Sequence, residues 1–368
     1  MMSISWSQAF AWRMRQQLLD PIGTGSVEAV VSRLGAVRAQ SELAAELSVR
    51  ARRHRSHPGE VAQALVEGRI IKTYAFRGAT QLMAPEDAGV YLALRASSRM
   101  WELPSWQSYY RLAPSDWPGL RKAVRDALTD GPMTRQELKA AVTSHAPFRH
   151  LGFAFSDQAG TLLKPLAWLG EMSFGPPRDG RATFQRLDRN PRWAGLPNLD
   201  EAGRRAIEAY LRAYGPATLR HLRYWLGEGL GAGKRIKSWL AALTDRLAPV
   251  DLEGVQAYIL REHFIDLTET PATTTVRLLP GYDQWALGPG TSDMHIVPPD
   301  LRPQISRGAN FVVVGGVVSG TWSLTDDGVT ITWSAQRMRV PKQLINEEIA
   351  RLSTIFDRPI RWKLERAQ

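Results

Sequence analysis

Near the start of the chain the apolar residues Trp6, Phe10, Trp12, Met14 and Leu18 alternate with Arg13, Arg15 and Gln17, which predicts an amphipathic helix within residues 1–20. Over 26–54, Val27, Val30, Val31, Leu34, Val37, Leu43, Leu47 and Val49 recur at mixed three- and four-residue steps, predicting two helices with a break at 35–40. A short helix at 58–67 follows. RIIKTYAF at 69–76 then alternates as a strand should, with 80–83 as its return partner. Three helices and then a two-stranded ribbon is the order of a winged helix.

That order recurs. Residues 120–128 read as a helix, 130–132 as a turn, and Thr134 with Glu137 as a capping box opening a second helix. A helix at 161–170 leads into strands at 172–174 and 181–185, joined by a Gly/Pro/Asp turn. A third copy has a helix at 199–213, a turn at 214–217, a helix capped by Thr218 and closed by Gly227, a helix at 234–243, and strands at 247–252 and 255–260 paired across Glu253-Gly254. Beyond Thr270 short strands take over, at 274–279, 310–318, 320–324, 329–333 and 336–340, with a hairpin turn at 326–328 and a terminal helix at 341–356. The fold expected is α+β: three tandem winged-helix domains plus a C-terminal small β-barrel domain. The boundaries expected are 1–115, 116–198, 199–269 and 270–368.

Composition narrows the partners. The 368 residues carry 47 Lys+Arg against 36 Asp+Glu, a formal charge of +11, which suits nucleic acid or an anionic membrane surface. Only eight of those 47 cations are lysines. Arginine grips phosphates bidentately and stacks on bases; a GC-rich genome explains the same bias equally well. The absence of cysteine excludes disulfides, thiolate catalysis and Cys-ligated zinc or iron–sulfur sites. His221 and His263 lack the partner spacing of a metal site, so no metal and no cofactor is expected. The N-terminal helix is not a signal peptide and no stretch approaches a membrane span, so a cytoplasmic location without membrane association is expected. Trp12, Trp168, Trp225 and Trp239 fall on apolar helical faces and read as core.

Four stretches, LGAVRAQ at 34–40, KTYAFRGATQ at 72–81, YGPAT at 214–218 and LPGYD at 279–283, with GTW at 320–322, resemble in order and spacing the winged-helix superfamily of the AlkZ and YcaQ DNA glycosylases. The resemblance implies three winged helices around a basic concave surface, followed by a β-barrel. It also implies excision of N7-alkylated purines from double-stranded DNA, in some members as self-protection of an antibiotic producer.

Such a base already carries positive charge and departs neutral, so it needs no protonation. What remains is to stabilise an oxocarbenium-like sugar and to hold a water against its anomeric carbon. A Gln-x-Gln pair of neutral amides can do this, and the family's catalytic motif is of that kind. Here it aligns on Arg38-Ala39-Gln40: the second glutamine is present and the first is arginine. Arginine has no acceptor for a water, and its charge opposes a developing cation. The expectation is therefore that Gln40 positions the water, aided by Glu42, Glu46 or Asp283, while Arg38 turns away to clamp a phosphate. For Asp283 a role as a turn residue stays open, and favoured.

For the DNA backbone the first choice is the run Arg50, Arg52, Arg53 and Arg55, and the second is Lys234, Arg235 and Lys237. Lys72, Arg77 and Gln81 of the second stretch are further candidate DNA contacts, Gln81 standing where relatives often carry histidine. No lysine lies near the motif to form a Schiff base, so no lyase activity is expected. The leading reading is a monomeric, monofunctional glycosylase for bulky N7-alkylguanine or N3-alkyladenine adducts. The alternative is a non-catalytic winged-helix DNA-binding protein, a regulator or lesion-shielding factor. A third and remote reading has the β-domain bind an antibiotic.

Overall fold

Hydroxyl caps decide where several helices start. Ser5 and Gln8 form a reciprocal capping box that opens Trp6–Gln16; Ser26 caps Val27–Leu34, Ser41 caps Glu42–Arg50, and Thr134 with Glu137 caps Arg135–Ser144. The computed structural model describes residues 2–227, 229, 231–334 and 339–366. The first helix stops at Gln16, short of the range predicted, because Leu18 takes a positive φ of 59°. Gly35, at φ 75°, ends the second, and the expected break then contains a two-residue strand, Val37–Arg38.

Among the described residues, one order of elements occurs three times along the chain: helix, two-residue strand, helix, further helix, hairpin. The first run is Val27–Leu34, Val37–Arg38, Glu42–Arg50, Glu60–Val66 and the hairpin Ile71–Tyr74 with Thr80–Met83. The second is Trp117–Ala127, Met133–Thr134, Arg135–Ser144, the broken helical stretch containing Gly152–Ser156 and Leu163–Trp168, and the hairpin Met172–Arg178 with Arg181–Arg186. The third is Leu199–Tyr214, Ala217–Thr218, Leu219–Leu226, Ala232–Ala242 and the hairpin Leu247–Leu252 with Val255–Leu260. Two helices fall between the first and second runs, Pro85–Ala96 and Pro104–Tyr110, each with proline in its first turn.

The chain divides into two compact units. One comprises Met1–Val61, Glu208–Trp225 and Leu243–Gln368. In its first sheet Ser3–Ile4 runs parallel to Leu247–Leu252, which pairs with Val255–Leu260 and then Ala217–Thr218. Its second sheet runs Val276–Leu279, Asn310–Val314, Val317–Thr325, Gly328–Trp333, Trp362–Arg366. The predicted strand at 310–318 is broken by Gly315 and Gly316, both at positive φ, into two strands of a hairpin. The strand expected at 336–340 begins in 335–338, outside the described residues. The last strand, Trp362–Arg366, pairs parallel with Gly328–Trp333.

Where a small barrel was expected, the described strands form an open sheet edged by Val276–Leu279 and Trp362–Arg366. The helix Lys342–Ile355 supplies Ile345, Ile349 and Leu352 to the core built on Trp322 and Trp333. A second core gathers Phe10, Trp12, Trp285 and Phe311.

The other unit comprises Ala62–Ile207 and Leu226–Ala242. Two of the hairpins meet edge to edge there through Lys72 opposite Phe174, so that its strands run Thr80–Met83, Ile71–Tyr74, Met172–Arg178, Arg181–Arg186, Met133–Thr134. Phe155, Trp168 and Phe184 are buried in this unit. Gly203 must lack a side chain, because a Cβ would lie 2.2 Å from the buried Trp239. All four tryptophans expected in the core are there, each 5% exposed or less.

Candidate active site

The strand Val37–Arg38 and the residues after it alternate as extended chain does: Val37 and Ala39 are buried, Arg38 is half-buried and Gln40 is exposed. Arg38 and Gln40 thus lie on one side of the segment, and Arg38 Nη2 donates to Gln40 Oε1 at 2.9 Å. Ser41 follows and starts the next helix by accepting from the Ala44 N–H. The Arg38 guanidinium sits 5.3 Å from the centroid of the Tyr282 ring, a cation–π distance. Tyr282 has a positive φ of 61° and anchors its hydroxyl on the Arg307 carbonyl at 2.9 Å. Gly308 leaves room for the ring; a Cβ there would come within 2.3 Å of it.

Arg38 is therefore folded onto Tyr282 and Gln40, where the sequence had suggested a side chain turned away toward phosphate. Its bond takes one acceptor position of the Gln40 amide and fixes which end is oxygen. A second lone pair on Oε1 and the Nε2 donors remain.

Asp283, one residue beyond Tyr282, is built differently. It is 2% exposed, and both carboxylate oxygens bind Arg52, each at 2.7 Å. Ser48 Oγ donates to Oδ2, and the Trp285 N–H donates to Oδ1 at 2.8 Å, capping the short helix Gln284–Leu287. Four donors saturate the carboxylate, so the role of auxiliary carboxylate gives way to a structural one. Arg52 shares that burial. With its side chain at 0% exposure it presents nothing to a phosphate.

The rest of the basic run is corrected likewise. Arg50 is 6% exposed and donates to the Ile355 carbonyl and to Ser56 Oγ. Arg53 pairs with Glu60 and donates to the Gly25 carbonyl. Only Arg55 of the four is exposed. The helix ends at Arg50, and the turn after it tucks back so that the Gly23 N–H reaches the Arg52 carbonyl, which takes the arginines inward.

Glu46 accepts from the Gly59 N–H at 2.8 Å and ties down that loop. Glu42 is exposed in the first turn of the helix that Gln40 precedes, where a carboxylate complements the helix dipole.

In the other unit Lys72 lies 5.6 Å from the Phe174 ring, and Arg77 is exposed at φ 56° in the turn of the first hairpin. Gln81 is 2% exposed, opposite Thr73 across the hairpin, so it is interior and not a DNA contact; its Oε1 and the Thr73 hydroxyl have no hydrogen-bond partner. On the helix Ala232–Ala242, Lys234 and Lys237 are exposed while Arg235 is half-buried.

His221 is not isolated. Its Nδ1 accepts from the Thr218 N–H and its Nε2 lies 2.9 Å from Asp293 Oδ2, while His295 Nδ1 lies 2.9 Å from Oδ1. Burial lowers the His221 pKa despite the carboxylate. Burial would raise that of Asp293, but the hydrogen bonds from His221 and His295 outweigh it and hold the carboxyl well below the usual range. Among the described residues no three His, Asp or Glu side chains are grouped to hold a metal, and no helix is long and apolar enough to cross a membrane.

Of the residues singled out from the sequence, the structure brings Arg38 to Gln40 near the surface and Arg52 to Asp283 in the interior. The residue missed is Tyr282, which stood in plain view in LPGYD but whose contact with Arg38 spans most of the chain.

Comparison with known proteins agrees with this frame. A model of the family described as DNA glycosylase AlkZ-like matches residues 31–355. An interstrand DNA cross-link repair glycosylase from Streptomyces sahachiroi is 35% identical over 369 residues, covering 98% of this chain and 100% of the relative. The solved structure of Streptomyces sahachiroi DNA glycosylase AlkZ is similar with a TM-score of 0.93 at 33% identity, covering 100% of each chain.

Proposed function

The chain belongs to the AlkZ-like DNA glycosylase family, and from that premise we propose that it hydrolyses the N-glycosidic bond of bulky N7-alkylguanine and N3-alkyladenine adducts in duplex DNA, with Gln40 holding the attacking water. The observation that carries this reading is the exposed Gln40 amide, placed directly before a helix N-terminus and oriented by the 2.9 Å bond from Arg38.

The bond from C1′ to the purine nitrogen breaks and the pair goes to the already cationic base, which leaves neutral. Water adds to C1′ and loses its proton to solvent. No side chain has to change charge, so an amide suffices where a carboxylate would otherwise serve. Gln40 Oε1 accepts from the water with its remaining lone pair, and Glu42 lends negative charge to the oxocarbenium-like sugar. No lysine stands near the Arg38-Ala39-Gln40 motif in the sequence, and on that basis we expect no Schiff base and no strand cleavage.

We read the threefold order of helix, strand, helix, helix and hairpin as three tandem winged helices that engage duplex DNA. The exposed Lys234 and Lys237 then take phosphates, joined by Arg55, Arg77 and Lys72. The protein works as a cytoplasmic monomer. The name of the relative from Streptomyces sahachiroi supports extending the substrates to interstrand cross-links, and a role in self-resistance to a DNA-alkylating natural product fits the same chemistry.

A non-catalytic, lesion-binding protein is the second reading, favoured by the guanidinium standing where a neutral amide is expected. Single-turnover base release decides between them, measured on duplexes carrying N7-methylguanine or a bulky N7-guanine adduct. The glycosylase reading expects release that falls by about 10²-fold in Gln40→Ala. Tight binding with no release above background would establish the second reading.

A further inference from the structure

We propose that Tyr109 and Phe153 form a stacking platform for an unpaired nucleobase of the bound DNA, an assignment that rests on the reading of this protein as one that engages duplex DNA. Tyr109 is 65% exposed and Phe153 50%, and their rings meet edge to face at 5.7 Å. Large aromatic rings left half in water cost hydrophobic free energy unless something covers them.

These two are also held rigidly. Buried Tyr110 lies parallel to Phe153, with centroids 6.2 Å apart and planes 11° apart, meets Tyr109 at 4.8 Å, and is backed in turn by Trp106 at 4.9 Å. The outer ring faces are therefore presented in a fixed orientation, as a stacking surface requires.

The chemistry around the rings is cationic. Arg111 follows Tyr110 and is exposed; Arg149, four residues before Phe153, is exposed as well. Lys139 donates to Ser156 Oγ at 3.0 Å, and its stem runs past Gly152, the residue before Phe153. Two carboxylates lie near in sequence, Asp157, held by the Ala159 and Thr161 N–H groups, and Asp116, held by that of Ala113; they keep their charge against the three cations. Aromatic faces among cations match alternating bases and phosphates of a single strand. A fully paired duplex hides its base faces, which is why the occupant is an unpaired base.

Phe153 lies on Gly152–Ser156, between the helix Arg135–Ser144 and the hairpin that follows. On the winged-helix reading proposed above, this segment follows the second helix of its repeat, where the recognition helix of a helix-turn-helix unit enters the groove.

The test compares binding of the full chain to a fully paired duplex and to the same duplex with a central bulge carrying 2-aminopurine. We expect wild type to prefer the bulged duplex and to quench its fluorescence. The double variant Tyr109→Ala/Phe153→Ala should lose about tenfold in affinity for the bulged duplex, with affinity for the paired duplex within about twofold, while Phe153→Tyr keeps the wild-type preference and shows that ring stacking is what matters. Equal loss on both duplexes, or none on either, would overturn the proposal. So would a wild-type dimer that the double variant converts to monomer, since the patch would then be covered by a second copy. Absence of base release by the wild type would refute the glycosylase reading and leave the bulge preference to stand or fall on its own.

Discussion

Replacing Asp283 by alanine leaves the Arg52 guanidinium charged in an interior that excludes water, since both side chains are at 0% exposure. Breaking a buried pair from one side costs about 3–5 kcal/mol. Losing the cap on Gln284–Leu287, where Asp283 accepts from the Trp285 N–H, adds about 1 kcal/mol. At about 2–4 °C per kcal/mol, the expected fall in Tm is about 8–24 °C. Removing both charges at once, in Arg52→Met/Asp283→Leu, should recover at least about 2 kcal/mol of that loss, because a matched apolar pair leaves no uncompensated ion. Thermal and urea unfolding measure the first quantity, and single-turnover base release well below the lower Tm measures a second. The structural role requires that Asp283→Ala unfolds early yet releases base at near the wild-type rate while folded. An unchanged Tm with abolished release would refute it and return Asp283 to the chemistry.

Tyr282→Leu should slow base release by about two- to fivefold, the worth of an exposed cation–π contact, with Tyr282→Phe near wild type and no further effect of Tyr282→Leu once Arg38 is alanine; additive losses in that double variant would show that Tyr282 does not act through Arg38. Lowered pKa values for His221 and Asp293 mean that the unfolded chain binds more protons than the folded one, so stability rises with pH. Wild type should therefore lose stability as pH falls below about 6.5 and again below about 4, and His221→Gln should flatten the upper part of a Tm-against-pH curve; an unchanged curve would show that His221 is not the group titrating. Lys234→Ala and Lys237→Ala should each reduce the slope of log affinity against log salt by about 1 on any duplex, with base release at saturating DNA unchanged. A lesion-specific loss would place them at the adduct instead.

What could be read from the sequence was whatever is decided locally. Hydroxyl caps, the glycine that ends Val27–Leu34 and the turns at the hairpin tips depend on a few neighbouring residues, and the helices and hairpins they bound fell close to where they were expected. Trp362–Arg366 was missed because its residues alternate charged and apolar over only five positions, and its place in the sheet comes from a parallel partner far back in the chain. The helices at Pro85–Ala96 and Pro104–Tyr110 had announced themselves by proline in the first turn, a signal available but unused. Gln40 was identifiable through its motif. That Arg38 lies on Tyr282 was not, since the contact is made by residues 244 positions apart.

The arginine run carries the sharper lesson. A formal charge of +11 and a cluster at Arg50, Arg52, Arg53 and Arg55 suggest a phosphate grip, yet Arg13, Arg50 and Arg52 are each 6% exposed or less and donate inward to carbonyl oxygens, hydroxyls or a carboxylate. A guanidinium offers five donors in a fixed fork, so one side chain can bind several elements at once: Arg52 binds Asp283 and the Ser48 carbonyl, and Arg50 holds Ile355. Lysine, with a compact and strongly hydrated head, suits that work less well, and Lys234 and Lys237 are exposed. In an arginine-rich chain net charge thus overstates the cationic surface. The DNA contacts are better sought among exposed lysines and exposed arginines, Arg55, Arg77, Arg111 and Arg149, than in the buried arginines of the densest basic run.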